Sequence, residues 1–255
     1  MIYNNKGFVT YTNDNPKYVA LTKCLVDSIL HFTDLPVEVC SINFDYKHDN
    51  KRVISKKINL NNEKDLGSVY YAKLLACIES EFDQTMHIDS DAIITPEVIR
   101  MFDVDMAEKD LVYMPLHPWN GPVYPRVRSV MNDMGLREKT QPYLHAASFL
   151  FTKYSKHFLR EVWDYSQKIS SFGFAPENYD ESLLNCFLWK YQKTNCYVDC
   201  YDPYFEYFKM LKNMPSKSTP TYSDTPNFVV NPYICHGCKD PNHQSDILLS
   251  LKKLY

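Results

Sequence analysis

The sequence has little glycine, with only 6 Gly among its 255 residues. It contains neither a G-x-G-x-x-G pattern nor a Walker A sequence. Those two glycine-rich loops hold the phosphates of dinucleotides and of nucleoside triphosphates through backbone N–H groups. Their absence excludes both of these modes of phosphate binding for this chain.

Long hydrophobic runs and a strong net charge are also lacking. No apolar run approaches the roughly 20 residues that a membrane-spanning helix needs, and the first six residues carry no signal-peptide pattern. The formal net charge of −3 gives no electrostatic reason to expect binding to nucleic acid or to an anionic membrane. We therefore expect a protein of the cytosol.

The eight cysteines are spread along the chain without a dense scaffold, which fits reduced thiols. Four of them fall into two close pairs, Cys196 with Cys200 and Cys235 with Cys238. Four thiolates could hold a structural zinc ion, or the four residues could be free thiols. Aromatic residues are abundant, with 20 Tyr and 14 Phe, and such rings either stack on sugars and nucleosides or fill the core.

The start of the chain reads as a β-α-β unit and predicts an α/β fold. We expect a strand at residues 7–12, a helix at 16–32 capped by Asn15, and a second strand at 37–42. In such sheets ligands bind beyond the carboxyl ends of the strands. This rule places the end of the first strand, Thr10-Tyr11-Thr12, beside any ligand.

The triplet Asp89-Ser90-Asp91 lies between two apolar runs. In an extended chain, residues i and i+2 point to the same side, so the two carboxylates would lie roughly 7 Å apart at their backbones. Two like charges this close repel each other, and a hard cation such as Mg²⁺ or Mn²⁺ relieves the repulsion, often with a substrate phosphate as a further ligand. The alternative is a turn with two solvated acids.

Three cationic or metal-binding side chains stand elsewhere in the chain. Lys73 lies off the apolar stripe of a helix that we expect from about Gly67, so it is either a solvated surface charge or a cation that reaches a diphosphate. His236 can ligate a metal and Lys239 can neutralise a phosphate, although His-Gly is also a common turn. The sequence alone does not decide between the two roles of Lys73, or between a ligand and a turn for His236.

A late helix opens with two acidic residues, Asp180 and Glu181. We expect Asp180 at the N-cap position, where capping alone would explain it. Glu181 and Asn185 are four residues apart and share one helix face. The buried face of this helix is predicted to be formed by Leu184, Phe187, Leu188 and Tyr191.

Residues 117–142 contain several prolines and are predicted to be irregular. Long ordered loops often carry function, and aromatic and arginine side chains suit an acceptor pocket. The candidates in this insertion are Trp119, Tyr124, Arg126 and Arg128.

Taken in order, these elements resemble a glycosyltransferase of the GT-A fold over most of the chain. The resemblance is carried by the first strand, Lys73, Asp89-Ser90-Asp91, Ala146-Ala147-Ser148, Asp180-Glu181 with Asn185, and His236-Gly237-Cys238-Lys239. The family-eight sugar transferases are the nearest relatives that we suggest. In that family His and Gly of the late motif are separated and Pro-Trp follows the Lys, whereas here Asp240-Pro241 follows.

The resemblance implies a single α/β domain with a mixed, mostly parallel sheet flanked by helices. It implies transfer of a sugar from a nucleotide-sugar donor, a UDP-sugar, to an acceptor hydroxyl, with Mn²⁺ or Mg²⁺ and with retention of configuration. The metal ligands would be Asp89, Asp91 and His236. The donor would contact Thr10, Tyr11, Thr12, Lys73, Asp89, Ser90 and Lys239, and the catalytic carboxylates would be Asp180 and Glu181.

Residues 1–110 would then form the nucleotide-sugar half and residues 111–255 the acceptor and catalytic half. We expect a nucleotide-sugar and a carbohydrate acceptor as partners, with a homodimer left open, in a bacterium or in a virus-infected cell. A sugar nucleotidyltransferase is a rival, although the first loop, Thr12-Asn13-Asp14-Asn15, lacks the Gly and positive charge that it would want. A haloacid-type phosphatase would need its aspartates after the first strand, and an inactive sugar-binding domain is a third rival.

Overall fold

The computed structural model describes residues 5–60, 66–104, 106, 112–115, 125–138, 143–169, 179–191, 194–197, 229–230, 234–237 and 239–255. The strands are β1 (Lys6–Thr12), β2 (Val37–Ile42), β3 (Val53–Ile58), β4 (Gln84–Ile88), β5 (Ala92–Ile94), β6 (Val112–Pro115), β7 (Ser148–Thr152), β8 (Thr194–Tyr197), β9 (Val229–Val230) and β10 (Ile234–His236). The α-helices are α1 (Pro16–Phe32), α2 (Leu66–Glu79), α3 (Pro125–Asp133), α4 (Lys156–Ile169), α5 (Tyr179–Tyr191) and α6 (Pro241–Leu254), and 3₁₀ helices span Pro96–Asp103 and Lys153–Ser155.

Within these described ranges, seven strands form one sheet in the order β3-β2-β1-β4-β7-β6-β8. Strands β1 to β4 run parallel, β7 is antiparallel to both β4 and β6, and β8 is parallel to β6. A smaller sheet has the order β5-β10-β9. The predicted single α/β domain with a mixed, mostly parallel sheet and flanking helices is confirmed.

The opening β-α-β unit follows the local sequence signals. Asn15 caps α1, since its side chain accepts a hydrogen bond from the backbone N–H of Lys17. Pro16 occupies the first helical position, where its fixed φ suits the helix and its missing N–H costs nothing. The predicted bounds of α1 and β2 are confirmed, and the carboxyl ends of β1 and β2 lie side by side, with Thr12 opposite Ser41.

Two buried clusters lie on opposite faces of the large sheet, because neighbouring strand residues point to opposite sides. Val9 and Phe149 belong to a cluster with residues of α2, α4 and α5. Phe8 and Leu150 belong to a cluster with residues of α1 and the first 3₁₀ helix. The central strands are therefore covered on both faces, which leaves their carboxyl ends as the open edge for a ligand.

The structure corrects two expectations. Residues 117–142 were expected to be irregular, but α3 lies within them, with Pro125 as its first residue, a position at which proline favours a helix. In this insertion Arg128 is exposed, and the side chains of Trp119, Tyr124 and Arg126 lie outside the described part of the chain. Tyr191 was expected to be buried, but it is the last residue of α5 and is 40% exposed.

The structure does not test zinc binding by the four paired cysteines. Of these cysteines, Cys200 and Cys238 lie outside the described residues, as do the side chains of Cys196 and Cys235. Across the described helices, none is long and apolar enough to cross a membrane.

Candidate active site

The two aspartates lie on a tight turn at the carboxyl end of β4. We call residues Asp89–Ala92 the DxD turn. Its ends are tied by the N–H of Ala92, which donates to the carbonyl of Asp89 at 3.2 Å. The N–H of Asp89 donates to the carbonyl of Ala147 at 2.8 Å. Because β4 is fully buried, the first polar side chains after it emerge at the open edge of the sheet.

The late histidine reaches this turn through strand pairing. Strand β10 is antiparallel to β5, and His236 lies opposite Ala92. This register places His236 Nε2 3.1 Å from Asp91 Oδ1 and 3.9 Å from Asp89 Oδ2. One ligand atom from each of Asp89, Asp91 and His236 lies within 4.8 Å of the others. We call these three residues the metal-ligand set, because two carboxylates and one imidazole of a single site suit a divalent cation such as Mn²⁺.

Lys73 lies in the middle of the site rather than on the surface. Its side chain is only 5% exposed, and its Nζ is 3.1 Å from Asp89 Oδ1 and 2.5 Å from Asp180 Oδ2. It also donates to the carbonyl of Ala146 at 3.2 Å. Burial lowers the pKa of Lys73, but the charges of Asp180 and Asp89 outweigh burial and hold this pKa well above its usual range. Of the two alternatives for Lys73, the solvated surface charge is therefore wrong.

The same charges act on Asp89. Burial raises the pKa of this carboxyl, but the ammonium of Lys73 and the hydrogen bond from His87 lower it more, so the net pKa falls below its usual range. His87 Nε2 lies 3.0 Å from Asp89 Oδ1. Asp89 is therefore an ionised carboxylate whose Oδ1 is contacted by Lys73 and His87, while its Oδ2 lies 3.9 Å from His236 Nε2.

Asp180 lies inside the first turn of α5, and its carboxylate pairs with Lys73 instead of capping the helix. The expected N-cap role is wrong, because a buried cation from α2 is the stronger partner for this carboxylate. Glu181 follows it and accepts a hydrogen bond from the N–H of Ala146 at 2.9 Å. Burial raises the pKa of Glu181 to about 7, with the charge of Asp180 contributing in the same direction.

Asn185 connects α5 to the chain before β7. Its Oδ1 accepts from the N–H of Leu144 and its Nδ2 donates to the carbonyl of the same residue, both at 2.8 Å. Its Nδ2 also donates to the carbonyl of Glu181 at 2.8 Å. The expected shared face of Glu181 and Asn185 is confirmed, and it is turned toward residues 144–146.

These side chains meet in one cleft with an open volume of about 260 Å³. Its lining residues are Tyr11, Lys17, Tyr18, Leu21, Lys73, Asp89, Ser90, Asp91, His145, Ala147, Asp180, Glu181, His236 and Lys239. Thr10 and Thr12 are not among them. Both are buried, and their side chains alternate with that of Tyr11 and point to the opposite side of the strand.

Several site residues were not found from the sequence. His87 could have been found, since it stands two residues before Asp89 and therefore on the same side of an extended chain. Lys17 and Tyr18 could have been found from their place just after the carboxyl end of β1. His145, whose ring centroid is 5.0 Å from that of His236, follows no pattern that the sequence displays.

No protein-family model and no curated protein sequence matches this chain. Its fold matches solved structures of LgtC. With an active-site mutant of LgtC it shares 15% sequence identity and a TM-score of 0.59, over 91% of this chain and 87% of that one. With the galactosyltransferase LgtC in complex with donor and acceptor sugar analogues it shares 14% identity and a TM-score of 0.58, over 96% and 95% of the two chains. The chain therefore has the GT-A fold of these glycosyltransferases.

Proposed function

We propose that the protein is a metal-dependent glycosyltransferase that moves a sugar from a nucleotide-sugar donor, a UDP-sugar, to a hydroxyl of a glycan or another acceptor. The observation that carries the proposal is the convergence of the metal-ligand set within 4.8 Å, in the cleft of a fold shared with a galactosyltransferase. Lys73 already pairs with Asp89, and a metal cation bound with a diphosphate would balance the charge of Asp91 as well.

The metal-ligand set fits Mn²⁺ or Mg²⁺, because carboxylate oxygens suit both ions and one imidazole is well tolerated by Mn²⁺. When bound, the cation would supply Lewis-acid stabilisation of the departing diphosphate. Lys239 is exposed on the wall of the cleft and is free to approach a phosphate from the solvent side. The charge that it contributes would matter most as the leaving group develops.

Lys73 would hold two protein side chains in position, in addition to placing a positive charge near the diphosphate. It already bridges two carboxylates, so its first effect is to hold Asp89 beside the metal-ligand set and Asp180 beside the reacting sugar. Tyr11 and Ser90 line the same cleft and would contact the nucleotide. Thr10 and Thr12 would contribute only through their backbone, since their side chains are buried.

Glu181 is the better of the two candidate catalytic carboxylates. Asp180 is neutralised by Lys73, whereas Glu181 lines the cleft with a pKa raised to about 7. A carboxyl group with a pKa near the working pH is suited to exchange a proton with an acceptor hydroxyl. In its ionised form the same group would stabilise an oxocarbenium-like transition state. That second role fits retention of configuration, and we propose a retaining reaction.

The proposal assigns residues 1–110 to nucleotide-sugar binding and residues 111–255 to the acceptor and to catalysis. The cleft draws side chains from both halves, which is the arrangement that group transfer between two substrates needs. We propose a cytosolic enzyme of a bacterium or a virus-infected cell, acting as a monomer or a homodimer.

The test is a thermal-shift and calorimetric titration with MnCl₂ and UDP. We expect UDP to bind more tightly with Mn²⁺ than with EDTA, and we expect Asp91→Asn to lose this metal dependence while it keeps its melting temperature without ligand. Asp83→Asn is the matched control, because Asp83 pairs with Lys153 outside the cleft. If Mn²⁺ and UDP stabilise the protein and Asp91→Asn equally, the proposed site is wrong.

Release of UDP from a panel of UDP-sugars, with and without Mn²⁺, separates an enzyme from an inactive binding domain. A protein that binds UDP with Mn²⁺ but never turns over any donor, even with glycan acceptors added, would be the binding domain. Formation of a nucleotide-sugar from a sugar phosphate and UTP would instead support the nucleotidyltransferase.

A further inference from the structure

The DxD turn is held by the C-terminal segment of the chain. The N–H of Gly237 donates to the carbonyl of Asp91 at 3.2 Å. The Nε2 of Gln244, from α6, donates to the carbonyl of Ser90 at 3.1 Å and to that of Ala92 at 2.7 Å. The carbonyls of three consecutive residues of the turn, residues 90–92, are thus all bound from residues 237–244.

Gln244 is a buried side chain on a packed helix. It is 0% exposed, and α6 is anchored by an N-cap at Asp240, whose side chain accepts from the N–H of Asn242. The helix packs against α1 and β5, with buried side chains at Ile247, Leu248 and Leu251. Because α6 is packed in this way, the hydrogen bonds of Gln244 link the position of the turn to the position of α6.

The hydrogen bonds of Gln244 bear on the position of the Asp91 side chain. Asp91 lies between the two residues whose carbonyls Gln244 binds, so a shift of either carbonyl moves the Asp91 side chain. His236 lies on β10, which pairs with β5, the strand that begins at Ala92 directly after Asp91. The separation between Asp91 and His236, 3.1 Å from Oδ1 to Nε2, therefore depends on the amide of Gln244 together with the hydrogen bond from the N–H of Gly237 to the carbonyl of Asp91.

We propose that Gln244 is a positioning residue, which holds the DxD turn through the carbonyls of Ser90 and Ala92 at the distance from β10 at which the metal-ligand set can share one cation. The inference rests on the proposed function, because it concerns the same metal. Groups that orient metal ligands without touching the metal commonly change metal affinity by about 10–100-fold when they are removed.

The variant that tests this is Gln244→Met, which keeps the length and volume of the side chain and removes both N–H donors. Its matched control is Gln167→Met, because Gln167 is exposed on α4 and donates to Ser166, outside the cleft. The measurement is titration of each protein with MnCl₂ alone, by calorimetry and by the EPR signal of free Mn²⁺, together with the melting temperature in EDTA.

We expect Gln244→Met to bind Mn²⁺ about 10-fold or more weakly, and Gln167→Met to match the unmodified protein. A purely structural role for Gln244 would lower the melting temperature and leave the Mn²⁺ affinity unchanged, and that result would overturn the inference. If Gln244→Met does not fold, Gln244→Asn takes its place, because it keeps the amide but is too short to reach both carbonyls. The same loss of affinity is expected for it.

The outcome also separates this inference from the proposed function. If the unmodified protein binds Mn²⁺ and Gln244→Met binds it equally well, only the role of Gln244 is refuted. If the unmodified protein does not bind Mn²⁺ at all, the proposed metal-dependent function and the inference are both refuted.

Discussion

Lys73 and Asp180 form a buried ion pair, with 2.5 Å between Nζ and Oδ2. The side chains are 5% and 10% exposed, so neither charge is well solvated. The pair joins α2 to the first turn of α5, and Asp89 completes it from the other side at 3.1 Å. One cation thus connects the turn that carries the candidate metal ligands to the helix that carries the candidate catalytic carboxylate.

Lys73→Met is expected to destabilise the protein strongly, because the buried Asp180 and the partly buried Asp89 both lose the ammonium group that pairs with them. Removal of one partner from a buried ion pair costs about 3–5 kcal/mol. The check is the free energy of unfolding from urea denaturation in EDTA. Lys17→Met is the control, since Lys17 is exposed, and it should unfold like the unmodified protein. Equal stability of the two variants would show that the buried pair carries no net energy.

Glu181→Gln is expected to remove a pH dependence of stability. The pKa of Glu181 is raised from 4.5 to about 7 on folding, so between these values the folded protein holds a proton that the unfolded chain has released. The stabilising effect of that proton is complete below pH 4.5 and is lost as the pH rises through about 7. At about 1.4 kcal/mol per pKa unit, the loss is at most about 3.5 kcal/mol.

The measurement is the free energy of unfolding of both proteins at pH 5 and pH 7.5, in EDTA. The stability of Glu181→Gln relative to the unmodified protein should rise between these two values, because glutamine does not titrate. A constant difference between the two proteins would mean that the carboxyl of Glu181 has an ordinary pKa in the fold.

Asn185→Leu is expected to destabilise the protein by about 2–4 kcal/mol. The leucine has a similar volume but leaves the buried N–H and carbonyl of Leu144 without the partner that Asn185 provides, and unsatisfied buried polar groups cost about 1–3 kcal/mol each. The melting temperature checks this. Leu249→Ala, at an exposed position of α6, serves as the control, and an equal effect of both changes would contradict the argument.

Gly7→Ala is expected to cost about 1–3 kcal/mol by overpacking. A Cβ at this position of β1 would overlap the ring of Phe82, which is itself buried. The cost should shrink in a Phe82→Leu background, since the smaller side chain opens space, and a double-mutant cycle of unfolding free energies measures this coupling.

Gly135→Ala is the control. Its Cβ meets no atom within 4 Å, so its cost, about 1 kcal/mol, would come only from its positive φ of 71°. It should not depend on Phe82.

Local signals in the sequence were sufficient for the opening β-α-β unit. Asn15 and Pro16 mark the start of α1 because capping and the fixed φ of proline act within one helical turn. Asp89 and Asp91 were recognised as a pair from their spacing in an extended chain, but the structure brings their carboxylates together on a tight turn instead. The helix-start signals span only a few residues, so the surrounding fold does not alter them.

Lys73 shows where that reasoning fails. An apolar stripe predicts a helix with one buried face and one solvated face, and Lys73 lies off the stripe. In the fold, residues 71–74 are all buried, because α2 packs against β1, α4 and α5 at once. A lysine on a helix enclosed on several sides can be accommodated only with anionic partners, and those come from distant parts of the chain.

The sequence by itself determined the opening β-α-β unit, the carboxylate pair after β4 and the acidic pair that opens α5, since these depend on propensity and on spacing along the chain. Only the tertiary structure decided that His236 meets Asp91 and that Lys73 joins Asp89 to Asp180. It also decided that Gln244 binds the carbonyls of the DxD turn. Those contacts depend on strand register and helix packing between segments far apart in the chain. Their free energy is gained only when the whole domain folds together.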